Sequence, residues 1–181
     1  MRRFHIKFWS CLFLAIAVIK LPVLEPYIDL FCLWLAKVTA FVLYLFDDTV
    51  MRNEAIVYRK TYGYAFEVTK ECSGLMFMAV FLSAVMAFPA SPMNKIMGLL
   101  FAIVATVAIN LFRLMTLLYL KVFLPSNQFD VAHEQIWPLL LALFIVAAYA
   151  VWALYTLKHE QFASLLKRPT PIKSSTEGCQ Q

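Results

Sequence analysis

The chain has 181 residues, of which 62% are hydrophobic and 15% aromatic, and its mean hydropathy is +0.74. Soluble domains are usually about half apolar, so this composition excludes an ordinary water-soluble protein and indicates an integral membrane protein. The formal net charge is +5, and basic residues cluster near both ends of the chain, as in segments held beside anionic lipid. Nucleic-acid binding would require a basic face in water, which this distribution excludes.

Apolar runs predict an all-α integral membrane protein, a bundle of about five transmembrane helices. A spanning helix needs about 20 mainly apolar residues, and the candidates are residues 8–24, 28–46, 74–88, 95–119 and 136–157. Lys20 and Pro22 interrupt the first candidate, and Pro89 ends the third. The chain is too short for a second domain of normal size.

One long polar segment, "DDTVMRNEAIVYRKTYGYAFEVTKE" at residues 47–71, separates the second and third candidates. It is rich in β-branched and aromatic residues that partly alternate with polar ones, and "RKTYG" can supply a turn. This pattern predicts a short extracytoplasmic β-hairpin or extended loop on the membrane surface, directly before the third helix.

The predicted orientation rests on the basic C-terminal segment, residues 158–181, which we expect to be a disordered cytoplasmic tail. The polar segment and the 120–135 loop then lie outside, and the 89–94 loop lies inside. Five complete spans would place the N-terminus outside, although "MRRFHIK" favours the cytoplasm. We therefore divide the chain into an N-terminal membrane segment (1–27) of open topology, a core (28–157) and the tail.

Two features of the predicted helices are polar. Thr106, Asn110 and Arg113 have the spacing i, i+4, i+7 and share one face of the fourth helix. A mid-bilayer arginine costs about 2.5–3.5 kcal/mol, so Arg113 either snorkels to the headgroups or, as Asn110 suggests, faces a polar interior. Lys37, near the middle of the second helix, should face a polar interior or a partner carboxylate; its role stays open.

Three residues that lie far apart in the sequence fall at one predicted membrane depth. Cys72 starts the third helix, Arg113 nears the outer end of the fourth, and His133 precedes the fifth. Taken singly, Cys72 could be a small apolar residue and His133 an ordinary surface-loop histidine. Because consecutive helices are antiparallel, however, the three side chains are expected at the same level of the bundle.

Chemistry gives this set a function. A thiolate is a nucleophile, and a helix N-terminus, a guanidinium and a histidine each favour it. Histidine can then protonate a leaving amine, and arginine can stabilise an oxyanion. Among the neighbours of the cysteine, Gly74 would let another backbone approach, Ser73 would cap the helix, and Glu71 either orients His133 or faces headgroups.

With "ECSGL" at 71–75, "NLFRL" at 110–114 and His133, in that order and at successive helix mouths, the chain resembles the exosortase/archaeosortase family of membrane cysteine transpeptidases. The resemblance covers roughly residues 28 to 157. It implies a multi-pass plasma-membrane enzyme with Cys72 as the nucleophile, Arg113 as the electrostatic stabiliser and His133 as the acid/base, supported by Asn110.

The resemblance also implies the substrates: exported proteins with a C-terminal sorting signal, which is a short motif followed by a transmembrane helix and a basic tail. The enzyme would cleave near the motif on the extracytoplasmic side and transfer the acyl group to an acceptor. We expect membrane lipids as its surroundings, and neither a metal nor another cofactor. The motif, the acceptor, the organism and the oligomeric state are not predicted.

Two other functions compete with the enzyme. In the first, the chain is a non-catalytic membrane subunit of a polysaccharide export or assembly system, and Arg113 and His133 only pair with another chain. In the second, it is a thiol redox membrane protein, which usually needs a second cysteine at the same level. Cys11 and Cys32 occupy other segments, and Cys179 is predicted on the opposite side.

Overall fold

The computed structural model describes residues 2–60 and 64–166. Its helices are α1 (Arg2–Ile19), α2 (Glu25–Tyr44), α3 (Leu75–Ala87), α4 (Pro92–Phe123), α5 (Ser126–Val131) and α6 (Trp137–Leu166). Short 3-10 turns lie at Pro22–Leu24 and Glu71–Ser73, and a π-helical turn, Ala132–Ile136, joins α5 to α6.

Proline sets several of the helix boundaries. The first apolar segment was predicted to run to residue 24, but α1 ends at Ile19, and a 3-10 turn begins at Pro22. Pro92 occupies the first turn of α4, where its missing N–H leaves no intrahelical bond unmade. Helix α3 ends at Ala87, just before Pro89, as the sequence predicts.

Three helical stretches are long and apolar enough to cross a membrane: Pro22–Tyr44, Pro92–Phe123 and Ser126–Gln161. Two shorter apolar helices, Phe4–Ile19 and Leu75–Ala87, accompany them in the described residues. The 13 residues of α3 extend only about 20 Å at 1.5 Å per residue. The chain is thus a mostly helical membrane protein, and the number of crossing helices stays a prediction.

Two segments that were predicted to be irregular contain helix in their described residues. The expected 120–135 loop contains the end of α4, all of α5 and most of the π-helical turn, because only residues 124 and 125 lie between the two α-helices. The predicted disordered tail, 158–181, begins inside α6, which continues to Leu166. Residues 167–181 lie outside the described residues.

The polar segment before α3 forms strands, as its residues predict. β1 (Val50–Asn53), β2 (Ile56–Arg59) and β3 (Tyr64–Glu67) make an antiparallel sheet in the order β1-β2-β3. Glu54, at a left-handed φ of 52°, turns the chain between the first two strands. The predicted hairpin is therefore a three-stranded meander, and its second connection lies within the "RKTYG" segment, of which residues 61–63 are outside the described part.

Buried side chains form two clusters. The first joins α2, the sheet, the turn before α3 and the outer part of α4, through Leu35, Val57, Cys72 and Leu114 among others. The second joins α3, α4 and α6 through Phe81, Ala102, Ile145 and Trp152 among others. The sheet and α2 therefore share a core that is separate from the core of the α3–α4–α6 bundle.

A set of polar contacts around Arg59 joins the sheet to α4. The Asp47 carboxylate accepts hydrogen bonds from the Thr49 hydroxyl (2.6 Å) and amide (3.0 Å) and pairs with Arg59 Nη2 at 2.7 Å. The Arg59 guanidinium also lies over the Tyr119 ring, 5.1 Å from its centroid. The Thr49 hydroxyl, followed by the Thr49 amide and Arg59, holds the pKa of Asp47 below its ordinary value of 3.8.

Asp47→Asn should lower the free energy of unfolding by about 1–3 kcal/mol, because it weakens hydrogen bonds and an ion pair that are mostly shielded from water. Thermal unfolding of the purified protein in detergent at pH 7 measures this loss. Since the folded-state pKa of Asp47 is depressed, its contribution is complete above pH 3.8 and disappears as the pH falls through the lower folded value. Asp48→Asn, at an exposed neighbour, should change little; an equal loss in that control would contradict the assignment.

Candidate active site

Cys72 occupies the 3-10 turn Glu71–Ser73, between the sheet and α3, and is only 8% exposed. The Cys72 amide donates to Thr69 O at 3.1 Å, and the Ser73 amide donates to Lys70 O at 3.2 Å. The Ser73 hydroxyl also donates to Lys70 O, at 2.5 Å. These local bonds close the turn and fix the backbone that carries the thiol.

Gly74 ends this turn in a left-handed conformation, with φ of 75°, and is itself the N-cap of α3. A Cβ there would lie 3.0 Å from Asn110 Cγ. The prediction that Gly74 admits a second backbone is therefore wrong in detail, because it admits the Asn110 side chain. Ser73 does not occupy the predicted cap position; instead its hydroxyl accepts a hydrogen bond from the Leu75 amide at 3.4 Å.

The polar face of α4 points into the protein. Thr106, Asn110 and Arg113 are 1%, 0% and 4% exposed, so the interpretation of Arg113 as a snorkelling residue is wrong and the polar-interior interpretation is confirmed. Asn110 Nδ2 donates to the Cys72 carbonyl oxygen at 3.0 Å. This buried bond ties the cysteine turn to the middle of α4.

The Arg113 guanidinium lies close enough to the Cys72 thiol to interact with it electrostatically. Its Nε is buried and makes no hydrogen bond within residues 2–60 and 64–166. A buried donor without a partner costs about 1–3 kcal/mol. Arg113 therefore keeps a donor free beside the sulfur.

His133 approaches the same sulfur, with its Nε2 3.4 Å from Cys72 Sγ. It lies on the π-helical turn Ala132–Ile136 and is half-buried. Single π-helical turns occur frequently at functional sites. The structure thus brings the predicted Cys72, Arg113 and His133 together around one thiol.

Two residues near His133 were missed by the sequence analysis. The Phe129 ring is nearly parallel to the His133 ring, at 4° with centroids 6.0 Å apart. Lys121 Nζ lies 4.1 Å from the centroid of the Phe129 ring. The i, i+4 spacing of Phe129 and His133 would have indicated this contact had the segment been predicted as a helix.

Of the two roles left open for Glu71, orienting His133 or facing headgroups, the first does not fit its position. It is exposed and lines a cavity of about 330 Å³ between α1, α2 and the cysteine turn. A hydrogen bond to its own backbone amide, and a second from Thr69, hold its pKa below 4.5. The acidic neighbours that act on His133 are Glu134 and Asp130.

Lys37 and Cys32 also differ from their predicted surroundings. Lys37 faces outward, not into a polar interior, and shares a groove with Arg52 and Glu54 of the sheet. Cys32 is buried in the same cluster as Cys72, so a second thiol does lie at this level. Cys32 and Cys72 therefore meet although they lie in different segments of the chain, which the sequence analysis did not predict.

The arrangement has the parts of a cysteine nucleophile site. A thiol at the mouth of a helix lies between an imidazole, which can exchange a proton, and a guanidinium, which can stabilise developing negative charge. The Asn110 hydrogen bond and the fixed turn hold the sulfur in place between them.

Comparison with known proteins identifies one family. The model of the transmembrane exosortase family matches residues 2–150, which includes Cys72, Arg113 and His133. Neither the curated proteins nor the solved structures gave a match to the chain.

Gly74→Ala should destabilise the protein by about 1–3 kcal/mol, because a Cβ is strained at φ of 75° and meets the Asn110 side chain. Thermal unfolding in detergent measures the loss. In the Asn110→Ala background the steric part should disappear, so the same substitution should cost less there. Strictly additive effects of the two substitutions would show that the two side chains do not compete for this space.

Proposed function

Since this chain belongs to the transmembrane exosortase family, we propose that it is a membrane-embedded cysteine transpeptidase or protease. It cleaves the C-terminal sorting signals of exported proteins and transfers the new C-terminus to an acceptor. The supporting observation is the 3.4 Å separation of Cys72 Sγ and His133 Nε2, with Arg113 at the same sulfur.

In the proposed reaction the Cys72 thiolate attacks the carbonyl carbon of the scissile peptide, and a C–S bond forms. The electron pair of the carbonyl moves to its oxygen, whose negative charge Arg113 stabilises. The C–N bond then breaks as protonated His133 gives its proton to the leaving amine. A thioester between Cys72 and the shortened substrate remains.

The second half returns the enzyme to its starting state. His133, now neutral, removes a proton from the acceptor, which is water, an amine or a lipid hydroxyl. The acceptor attacks the thioester carbonyl, the C–S bond breaks, and the thiolate leaves. Cys72, Arg113 and His133 thus act in both halves, and no other reactant is required.

The proposed location follows from charge and from the substrate. With the basic C-terminal segment in the cytoplasm, Cys72 lies on the extracytoplasmic side of the plasma membrane. A substrate anchored by its own C-terminal helix would present its motif at this level. The partners are therefore exported proteins with a motif, a helix and a basic tail.

Cys72→Ala should abolish cleavage of a co-expressed tailed substrate while the protein still inserts, since the change removes one sulfur atom. Mass spectrometry of the substrate C-terminus measures the cleavage. Cys72→Ser should be nearly as inactive, because a hydroxyl is far harder to ionise than a thiol beside the same neighbours. Cys32→Ala, at the neighbouring buried thiol, should retain cleavage.

The controls separate the competing functions. Loss of activity in both Cys72→Ala and Cys32→Ala would favour thiol redox chemistry. Processing by Cys72→Ala at the wild-type rate would overturn the catalytic assignment and favour the non-catalytic subunit. A hydroxylamine-sensitive adduct between Cys72 and the shortened substrate would be direct proof of the thioester.

Arg113→Lys should reduce the rate of cleavage about 10²–10³-fold although it keeps the positive charge. A lysine lacks the planar guanidinium through which Arg113 can interact with both the thiol and a substrate oxygen. Single-turnover kinetics of the purified enzyme would measure the rate. Arg52→Lys, on the exposed side of the sheet, is the matched control and should be neutral. Near-full activity of Arg113→Lys would leave Arg113 only a structural role.

A further inference from the structure

Helix α2 begins beside the cysteine turn. Glu25, its first residue, pairs with Lys70 Nζ at 2.5 Å, and Asp29 lies 3.8 Å from the same ammonium. The cavity next to this pair is lined by Ile19 at the end of α1, Glu71 and other residues. The end of α1, the start of α2 and Cys72 therefore lie on the same face of the molecule.

The sheet then accompanies α2 along most of its length. Cys32 shares a groove with Ala55 and Glu67 at one end of the sheet. Toward the other end, Leu43 of α2 belongs to the same buried cluster as Val50. The strands thus cover the side of α2 that does not face outward.

A sheet of this kind cannot lie in hydrocarbon. Its order is β1-β2-β3, so β1 and β3 are edge strands, and their outward backbone groups pair with no other strand in residues 2–60 and 64–166. In a bilayer core each unsatisfied group costs several kcal/mol. The part of α2 that the sheet covers must therefore lie outside the hydrocarbon core.

Contacts with α4 show on which side of the membrane that is. Arg59 of the sheet lies over Tyr119, about 9 Å further along α4 than Arg113 at 1.5 Å per residue. The opposite end of the bundle is marked by Glu160, whose carboxylate accepts hydrogen bonds from the Ser91 amide (2.7 Å) and Asn94 (3.1 Å). Both ends of α2 therefore lie on the Cys72 side.

The uncovered face of α2 has the composition of a membrane interface. Every third or fourth residue is exposed along one stripe, which consists of Tyr27, Leu30, Trp34, Lys37, Phe41 and Tyr44. Tyrosine, tryptophan and lysine favour the headgroup region. In a crossing helix they gather at its two ends, whereas here they run the full length.

We infer that α2 does not cross the membrane but lies along its surface on the Cys72 side, with the stripe from Tyr27 to Tyr44 against the lipid headgroup region. The occupant of this stripe is lipid because the helix starts beside the cysteine turn at the mouth of the membrane bundle, and because its tyrosine, tryptophan and lysine side chains favour the headgroup region. A helix that buries one side against protein and presents aromatic and lysine side chains along the other is suited to the interface plane. Lys37 then contacts headgroups, which removes the cost of a lysine at mid-bilayer.

This placement also resolves the conflict over the N-terminus. With α2 on the surface, four helices run between the two faces: α4 and α6, which are long enough to span a bilayer, and the shorter α1 and α3, which pack against each other. An even number of crossings places both chain ends on one side of the membrane. The basic "MRRFHIK" start and the basic C-terminal segment are then both cytoplasmic, as the positive-inside rule expects.

Single-cysteine labelling tests the placement in the full chain. In a background with Cys11, Cys32, Cys72 and Cys179 replaced by serine, Val23→Cys and Asp48→Cys flank α2. Asn127→Cys and Ser91→Cys mark the Cys72 face and the opposite face. An impermeant maleimide on intact cells should label positions 23, 48 and 127, and label position 91 only after permeabilisation. Labelling of positions 23 and 48 from opposite sides would overturn the inference.

Tryptophan quenching tests the occupant and does not depend on cysteine replacement. With Trp9, Trp137 and Trp152 changed to phenylalanine, Trp34 reports the middle of α2. In phosphatidylcholine vesicles, 5-doxyl lipid should quench Trp34 more than 12-doxyl lipid. Stronger 12-doxyl quenching would show a crossing helix, and no quenching would show a protein-covered face; either outcome overturns the inference.

A matched control calibrates the depth. The control is Phe101→Trp in a chain whose four native tryptophans are replaced. Position 101 lies on the exposed side of α4, about 13 Å from the start of that helix. A tryptophan there should be quenched best by 12-doxyl lipid. Neither measurement requires enzymatic activity. The placement of α2 can therefore be wrong while the proposed reaction is right, and the proposed reaction can be wrong while the placement of α2 is right.

Discussion

The hydrogen bond from Asn110 Nδ2 to the Cys72 carbonyl is the interaction on which the site depends. Asn110 is fully buried, and a buried amide must find partners or pay its desolvation cost. Its donor bonds the turn that carries the thiol, and Gly74 leaves the room that its side chain occupies. Because Arg113 follows one helical turn later on the same face, docking the turn at Asn110 automatically places the guanidinium beside the sulfur.

The bilayer imposes the second constraint, and it separates the two buried clusters. Helices satisfy their own backbone groups and can enter hydrocarbon, whereas an open-edged sheet cannot. The α3–α4–α6 cluster therefore suits the membrane, and the cluster of α2, the sheet and outer α4 suits its surface. Cys72 belongs to the surface cluster at the point where the chain passes into α3. The thiol therefore lies at the boundary between the surface cluster and the membrane bundle.

The sequence predicted what depends on composition and local pattern. Long apolar runs, the strands before α3 and the buried face of Thr106, Asn110 and Arg113 were all recognisable, and the three residues around the thiol were correctly grouped. The packing of the sheet along α2 was not, because a hydropathy window measures apolar length and does not report which protein segments cover a helix. Phe129 was missed because the polar residues around it predicted a loop, whereas the structure has a helix there whose Phe129 ring contacts Lys121.

The site is closed in this structure, and its construction indicates which side opens. Cys72 and Arg113 are 8% and 4% exposed, so a substrate carbonyl must displace a neighbour to reach the sulfur. The α4 side is fixed by the Asn110 bond and by the tight contact with Gly74. The His133 side rests on a π-helical turn, whose hydrogen bonding is less regular than that of an α-helix. In the proposed reaction, room for the carbonyl is therefore easier to make on the His133 side than on the α4 side.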